Sequence, residues 1–184
     1  MLMQRGFSME EMQYNEKGME RSHYFYDQGY CRCAVRNLGN VSGWTNAYDN
    51  VKGRVVRCFL DARDCPVENN EGASRVEIVF NTDHLCVEKL TYNVKGDIVG
   101  GVRFAYDDCK RLSETIELDG KLQPTKDEGK IAIVRFEYDD KHNIERRRFF
   151  DSTGKPCRGQ DGLSGIEVQK DDAGNEIAKT SLSP

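Results

Sequence analysis

Apolar and polar positions alternate along this chain in short runs, and the runs recur. In Val76, Ile78, Phe80, in Val102, Phe104, Tyr106 and in Val134, Phe136, Tyr138, every second residue is large and apolar. Side chains along a strand alternate between its two faces, so each triplet marks one face of a β-strand. Trp44, Asn46, Tyr48 has the same form with one polar member. With the last residue of each triplet as an anchor, the pattern recurs at Tyr14, Tyr48, Phe80, Tyr106 and Tyr138, with a degraded copy at Lys170. Successive anchors stand about 32 residues apart, shortening to 26 between Phe80 and Tyr106. One residue after the anchors come Asn15, Asp49, Asn81, Asp107, Asp139 and Asp171. Thirteen after them come Asp27, Asp61, Asn93, Asp119 and Asp151, with Ser183 in the sixth copy.

A short Asp or Asn side chain bonds backbone N–H groups further along and so opens a turn. Gly18, Gly53, Asn143 and Gly174 follow as residues able to take positive φ. A second strand comes next, over Arg54 to Leu60, Leu85 to Tyr92, Leu112 to Leu118 and Ile144 to Phe150. Each copy therefore predicts a β-hairpin, closed by a second turn that Gly29, Gly96, Gly120 and Gly154 complete. Three connectors, PVENNEG, PTKDEG and PCRGQDG, begin at Pro66, Pro124 and Pro156 and end in acid-Gly. Pro removes a strand donor and Gly permits reversal, so these are loops between hairpins. After Asn93 the link is only VKGDIVGG, which accounts for the short spacing.

One hairpin alone cannot bury its face, but five or six in series can, each against its neighbour. The expected fold is all-β: an elongated antiparallel sheet or β-solenoid of five to six hairpins. Repeats start near residues 14, 48, 80, 106, 138 and 170, so 14–184 is the array and 1–13 a helical or disordered lead-in.

Composition fits a thin core. Of 184 residues, 38% are hydrophobic and 32% charged. With 27 basic against 31 acidic residues the net charge is -4, which argues against a phosphate-backbone partner, so no nucleic acid is expected. The start MLMQRGFSMEEMQ lacks a signal-peptide core, and no segment approaches the ~18 apolar residues of a membrane span. The expected location is cytoplasmic, with a fragment of a longer exported or surface protein as the alternative. The seven cysteines include no CxxC pair and the three histidines are scattered, so no metal and no cofactor are expected.

The stretch from Tyr138 to Pro156, YDDKHNIERRRFFDSTGKP, resembles tandem bacterial repeats in which YDxxGN is followed by YFDxxGKP. It is similar more loosely to the YD repeats of Rhs-type proteins and to MORN-variant repeats. Tyr48 to Pro66 keeps the pattern with Asp64 where Gly is expected, and Phe80 to Ile98 keeps it in outline. The resemblance spans roughly residues 12 to 184 and implies a bacterial hairpin-repeat protein, an array serving as shell, spacer or interaction surface. It carries no catalytic residues.

Two groups of side chains exceed what the repeat requires. Trp44, Tyr24, Phe25, Tyr26, Tyr30, Tyr92, Phe149 and Phe150 outnumber the anchors, and adjacent aromatics on a strand point to opposite sides, so one of each pair leaves the shared face. Either a second layer covers it or it forms a binding patch. Arg146, Arg147 and Arg148 have no counterpart in the other copies, though alternation sends Arg147 to the opposite face from its neighbours. The binding candidates are thus Trp44, Tyr24, Tyr26, Tyr30, Phe149 and Arg146 to Arg148, with no catalytic residue. The acid pairs Asp107-Asp108, Asp139-Asp140 and Asp171-Asp172 sit where the turns need them, and Cys65 and Cys157 sit in connectors. The function expected is a non-enzymatic scaffold binding another protein along its sheet or by sheet-edge pairing, which would also permit oligomers. The alternatives are an enzyme accessory using Cys31, Cys33 and His23, or a surface array binding carbohydrate.

Overall fold

The computed structural model describes residues 7–125, 131–141, 144–159 and 161–182. Gly129, Asn143 and Ser183, assigned above to turns and a connector, lie outside the described residues. The described residues form twelve strands: β1 (Met9–Tyr14), β2 (Glu20–Tyr26), β3 (Gly43–Asp49), β4 (Arg54–Leu60), β5 (Arg75–Phe80), β6 (Cys86–Tyr92), β7 (Ile98–Tyr106), β8 (Leu112–Leu118), β9 (Ile133–Asp139), β10 (Ile144–Phe150), β11 (Gly165–Lys170) and β12 (Glu176–Leu182). One turn of 3-10 helix, Arg36–Leu38, interrupts the link after β2. Strand order is chain order without a crossover, and the edges stay open rather than closing into a barrel. This is the open-sheet form of the expected all-β hairpin array. No helix among the described residues is long and apolar enough to cross a membrane.

Contacts divide the chain into two compact units, Met1–Val99 and Gly100–Pro184. In the first, hairpins β1·β2, β3·β4 and β5·β6 are joined through β2·β3 and β4·β5. In the second, hairpins β7·β8, β9·β10 and β11·β12 are joined through β8·β9 and β10·β11. These four junctions between hairpins keep one register: the residue nine after one anchor faces the residue four before the next. The pairs are His23↔Trp44, Arg57↔Val76, Thr115↔Val134 and Arg147↔Ile166.

The lead-in departs from expectation. Residues 9–13 belong to β1, neither helical nor disordered, because Met9 to Tyr14 pairs along β2 from Tyr26 to Glu20. MEEMQY lacks a clean apolar face, and backbone pairing overrides its weak strand preference.

The turns follow one plan. The Asp151 N–H donates to the Lys155 carbonyl at 2.9 Å, and the Gly154 N–H donates back to the Asp151 carbonyl at 3.0 Å. The carboxylate Oδ1 accepts from the Thr153 and Lys155 N–H groups at 2.8 and 3.0 Å. Asn15, Asp27, Asp61, Asn81, Asn93, Asp119 and Asp171 repeat this double acceptance. The fourth residue of the loop must then turn left-handed, as Gly154 does at φ 80. In the turns at Asp27 and Asp119 this place falls to Tyr30 (φ 61) and Leu122 (φ 60), not to the expected Gly29 and Gly120. The Asx side chain fixes the count, and the glycines stand off it.

The connectors carry the core. Val67 donates its N–H to the Phe59 carbonyl at 3.1 Å, the chain reverses at Asn69, and Ala73 comes to rest 2% exposed. Val41, Phe59 and Ala73 form the buried cluster, with Leu38, Trp44, Val67 and Val76 packed against it. In the second unit Phe149, Ala132 and Val168 are buried in the same way. Burying each Phe contributes on the order of 2–3 kcal/mol. The first-unit cluster thus sets connector residues Val41, Val67 and Ala73 against the strand residues Phe59, Trp44 and Val76. β4, β6 and β8 are half-buried along most of both faces, whereas β1 and all but the last residue of β12 are exposed.

Candidate functional site

The densest polar cluster lies in the first unit, around Glu20 at the start of β2. Its carboxylate Oε1 accepts from the Trp44 indole N–H at 2.7 Å, from Asn46 Nδ2 at 3.0 Å and from the Arg57 guanidinium at 3.3 Å. Its backbone carbonyl accepts from the Tyr48 hydroxyl at 2.6 Å and from Asn46 Nδ2 at 2.9 Å. Asn46 Oδ1 in turn accepts from Arg57 Nε at 2.9 Å. The register β2·β3·β4 brings these together, since His23 faces Trp44, and Asn46 faces Arg57. Asn46 is 7% exposed. A buried amide needs partners, and Glu20 supplies them.

His23, 8% exposed, extends the cluster. Its Nε2 lies 3.1 Å from Glu10 Oε2 and its Nδ1 lies 3.5 Å from Glu20 Oε2. Its ring stands 4.8 Å from Phe25 and 4.5 Å from Trp44, within a run of rings from Phe7 to Phe59. Burial pushes the Glu20 carboxyl up, but the hydrogen bonds from Trp44 and Asn46 with the Arg57 charge outweigh it and hold the group below the usual carboxylate range. The oxygens of Glu20 thus already carry donors. The two carboxylates bind opposite edges of the imidazole, so they do not converge on a point where an ion could sit. Among the described residues no group of three or more His, Cys, Asp or Glu is arranged to hold a metal.

The second unit holds a smaller counterpart. Glu145 accepts from Lys170 Nζ at 2.7 Å and from Arg147 Nε at 2.6 Å. Burial raises its carboxyl, and these two cations more than reverse that. Beside it, the Tyr138 hydroxyl donates to the Leu112 carbonyl at 2.8 Å, under the Arg111 guanidinium at 4.4 Å from the ring. Arg111 is itself tied to Asp107 and Asp140. Tyr48 on Glu20 and Tyr138 on Leu112 are the same bond: an anchor hydroxyl on the carbonyl six residues past the preceding anchor.

The residues singled out by sequence are dispersed. Trp44 is half-buried in the Glu20 cluster. Tyr24 lies on the opposite face, facing Gly43, under the Arg32 guanidinium at 3.7 Å. Tyr26 donates its hydroxyl to Glu11 at 2.9 Å, on that second face. Tyr30 projects from a turn, 75% exposed. Phe149 is 8% exposed and belongs to the core, so it cannot serve as a contact residue. Arg146 pairs with Glu167 at 2.7 Å, Arg147 with Glu145, and Arg148 with Glu137 at 3.1 Å. The arginines divide between two faces, as alternation requires, each against its own carboxylate.

No cysteine is in a disulfide, and Cys31, Cys65 and Cys109 are exposed. Cys157 is half-buried rather than exposed, and burial first and the Asp151 charge second push its thiol up. Cys33 is raised likewise, by burial and then Asp27. A raised thiol is a poorer nucleophile, and both nitrogens of His23 face carboxylates.

Sequence reasoning missed Glu20, Glu10 and Asn46 as members of one cluster. The signal was present in Asn46, a polar residue inside an otherwise apolar triplet. No protein-family model and no curated protein matches the chain.

Proposed function

We propose that this chain is a non-enzymatic hairpin-repeat scaffold whose sheet binds another protein. The observation that carries the reading is the use made of the reactive side chains. Glu20 bonds Trp44, Lys170 bonds Glu145 and Arg146 pairs with Glu167 across neighbouring hairpins, while His23–Glu10 and Arg148–Glu137 join the two strands of one hairpin and Arg147 bonds Glu145 along its own strand. Side chains committed in that way give a sheet rigidity and specific pairing. The resemblance to tandem bacterial hairpin repeats points the same way.

The test is capture of proteins from native lysate on the immobilised full chain, with hydrogen exchange then measured on the chain in the complex. A bound protein that slows exchange along contiguous strands supports the reading. A chain that retains nothing and turns over a substrate overturns it.

A further inference from the structure

We propose that the chain associates with itself head to tail, β12 of one copy adding to β1 of the next and continuing the repeat across the boundary between molecules. The proposal deepens the scaffold reading and rests on it in taking the sheet as the interaction surface. Among the described residues β1 is paired on one side only, with β2, and β12 on one side only, with β11. Every residue of β1 is exposed, as are the first six of β12. A strand edge in this state presents unpaired N–H and C=O groups to any strand that matches it.

The match follows from the register. All four described junctions pair the residue nine after an anchor with the residue four before the next. Applied to β12 and the β1 of a second copy, the rule places Lys179, nine after Lys170, opposite Glu10, four before Tyr14. An ammonium then faces a carboxylate directly across the strands. Two residues along on the same face, Ile177 meets Met12, apolar side chains 60% and 43% exposed in the single chain. On the other face Ala178 meets Glu11 and Thr180 meets Met9, so no like charges stand opposite each other. Even-numbered strands run antiparallel to the odd-numbered strands that follow them, and β12 before β1 keeps that alternation.

The acids of β1 discriminate against pairing with a second β1. Two β1 edges would bring Glu10 and Glu11 of both copies together. The contact proposed is heterologous, one edge on a different edge, and each copy keeps a free end of each kind.

Light scattering on the full chain in reductant, which excludes disulfide dimers, decides the matter. The wild-type mass is expected to rise above 21.0 kDa with concentration. Lys179→Glu should raise the half-association concentration severalfold, up to about thirtyfold, the scale of one cross-strand charge reversal. Glu10→Lys should do the same alone, and a 1:1 mixture of the two variants should associate again through the restored pair. A wild-type mass fixed at 21.0 kDa up to about 1 mM, well above the range of specific contacts, overturns the proposal. So does a Lys179→Glu chain that associates like wild type. Because Glu10 also holds His23, a Glu10→Lys chain that fails to fold is replaced by Ile177→Asp on exposed β12, which must weaken association too. A chain that stays monomeric yet captures a different protein leaves the scaffold reading standing and removes only this one.

Discussion

Tyr30 is held at φ 61 with three-quarters of its surface in water, so its side chain contributes little to offset a left-handed backbone. That conformation costs an ordinary residue about 1–2 kcal/mol, and glycine escapes it at the expense of more chain entropy. Tyr30→Gly is expected to stabilise by about 0.5–1 kcal/mol, read as a higher urea midpoint at unchanged slope. Gly29→Ala, one residue earlier, should give no such gain. Sequence pointed to Gly29 because glycine usually marks the bend, whereas Asp27 counts the loop by accepting from residues two and four further on. A second expectation concerns acid. Glu20 and Glu145 are both held below the usual carboxylate range, so as pH falls the unfolded chain takes up protons first. Their stabilisation is complete above the unfolded value of about 4.3 and is lost as pH falls through the lower folded values. Thermal midpoints should therefore drop below about pH 4.3, and Glu145→Gln should lower the neutral midpoint while flattening that acid limb.

At the level of strands, the pairing between hairpins depends on close backbone approach at two glycines in the same place of the repeat. A Cβ at Gly43 would stand 2.4 Å from the His23 carbonyl, and one at Gly165 would stand 2.4 Å from the Arg147 carbonyl. Backbone cannot yield as a flexible side chain can, so Gly43→Ala must open the β2·β3 junction, at about 2 kcal/mol or more. Loss of amide protection confined to Gly43, Trp44 and Thr45 with their partners on β2 would show it; protection unchanged would refute it. The strands themselves were legible because the anchor ends one strand and the Asx turn starts the next: β4, β8 and β10 run from Arg54, Leu112 and Ile144 to the expected ends. β1 was not legible, since MEEMQY pairs by its backbone and buries nothing. Nor was the core, which sits under connectors whose Pro and Gly read as plain loops while Val67 and Ala73 pack inward. The Glu20 cluster was hidden for another reason. His23 occupies a place where the other copies have different residues, and the Glu20 place holds a carboxylate again only at Glu176, so a repeat template averages them away. Asn46 alone, polar within an apolar triplet, marked the spot.

For the whole chain, an array of hairpins that each touch only their neighbours has stability close to a sum of local terms. Damage should then stay near its source. The chain offers a direct way to see this, because its single tryptophan, Trp44, lies in the unit Met1–Val99, whereas Glu145 lies in Gly100–Pro184. Glu145→Ala removes the carboxylate that Lys170 and Arg147 share, each of them about a third exposed at 32% and 36%. Breaking a fully buried pair costs 3–5 kcal/mol, and solvent at these two cations reduces that to about 1–2 kcal/mol. Far-UV circular dichroism, which reports all twelve strands, should lose part of its signal at lower urea in this variant. The fluorescence transition of Trp44 should keep its wild-type midpoint, so the two probes cease to coincide. A Trp44 transition that moves together with the dichroism would mean that the chain unfolds as one cooperative block, and the additive picture would fail.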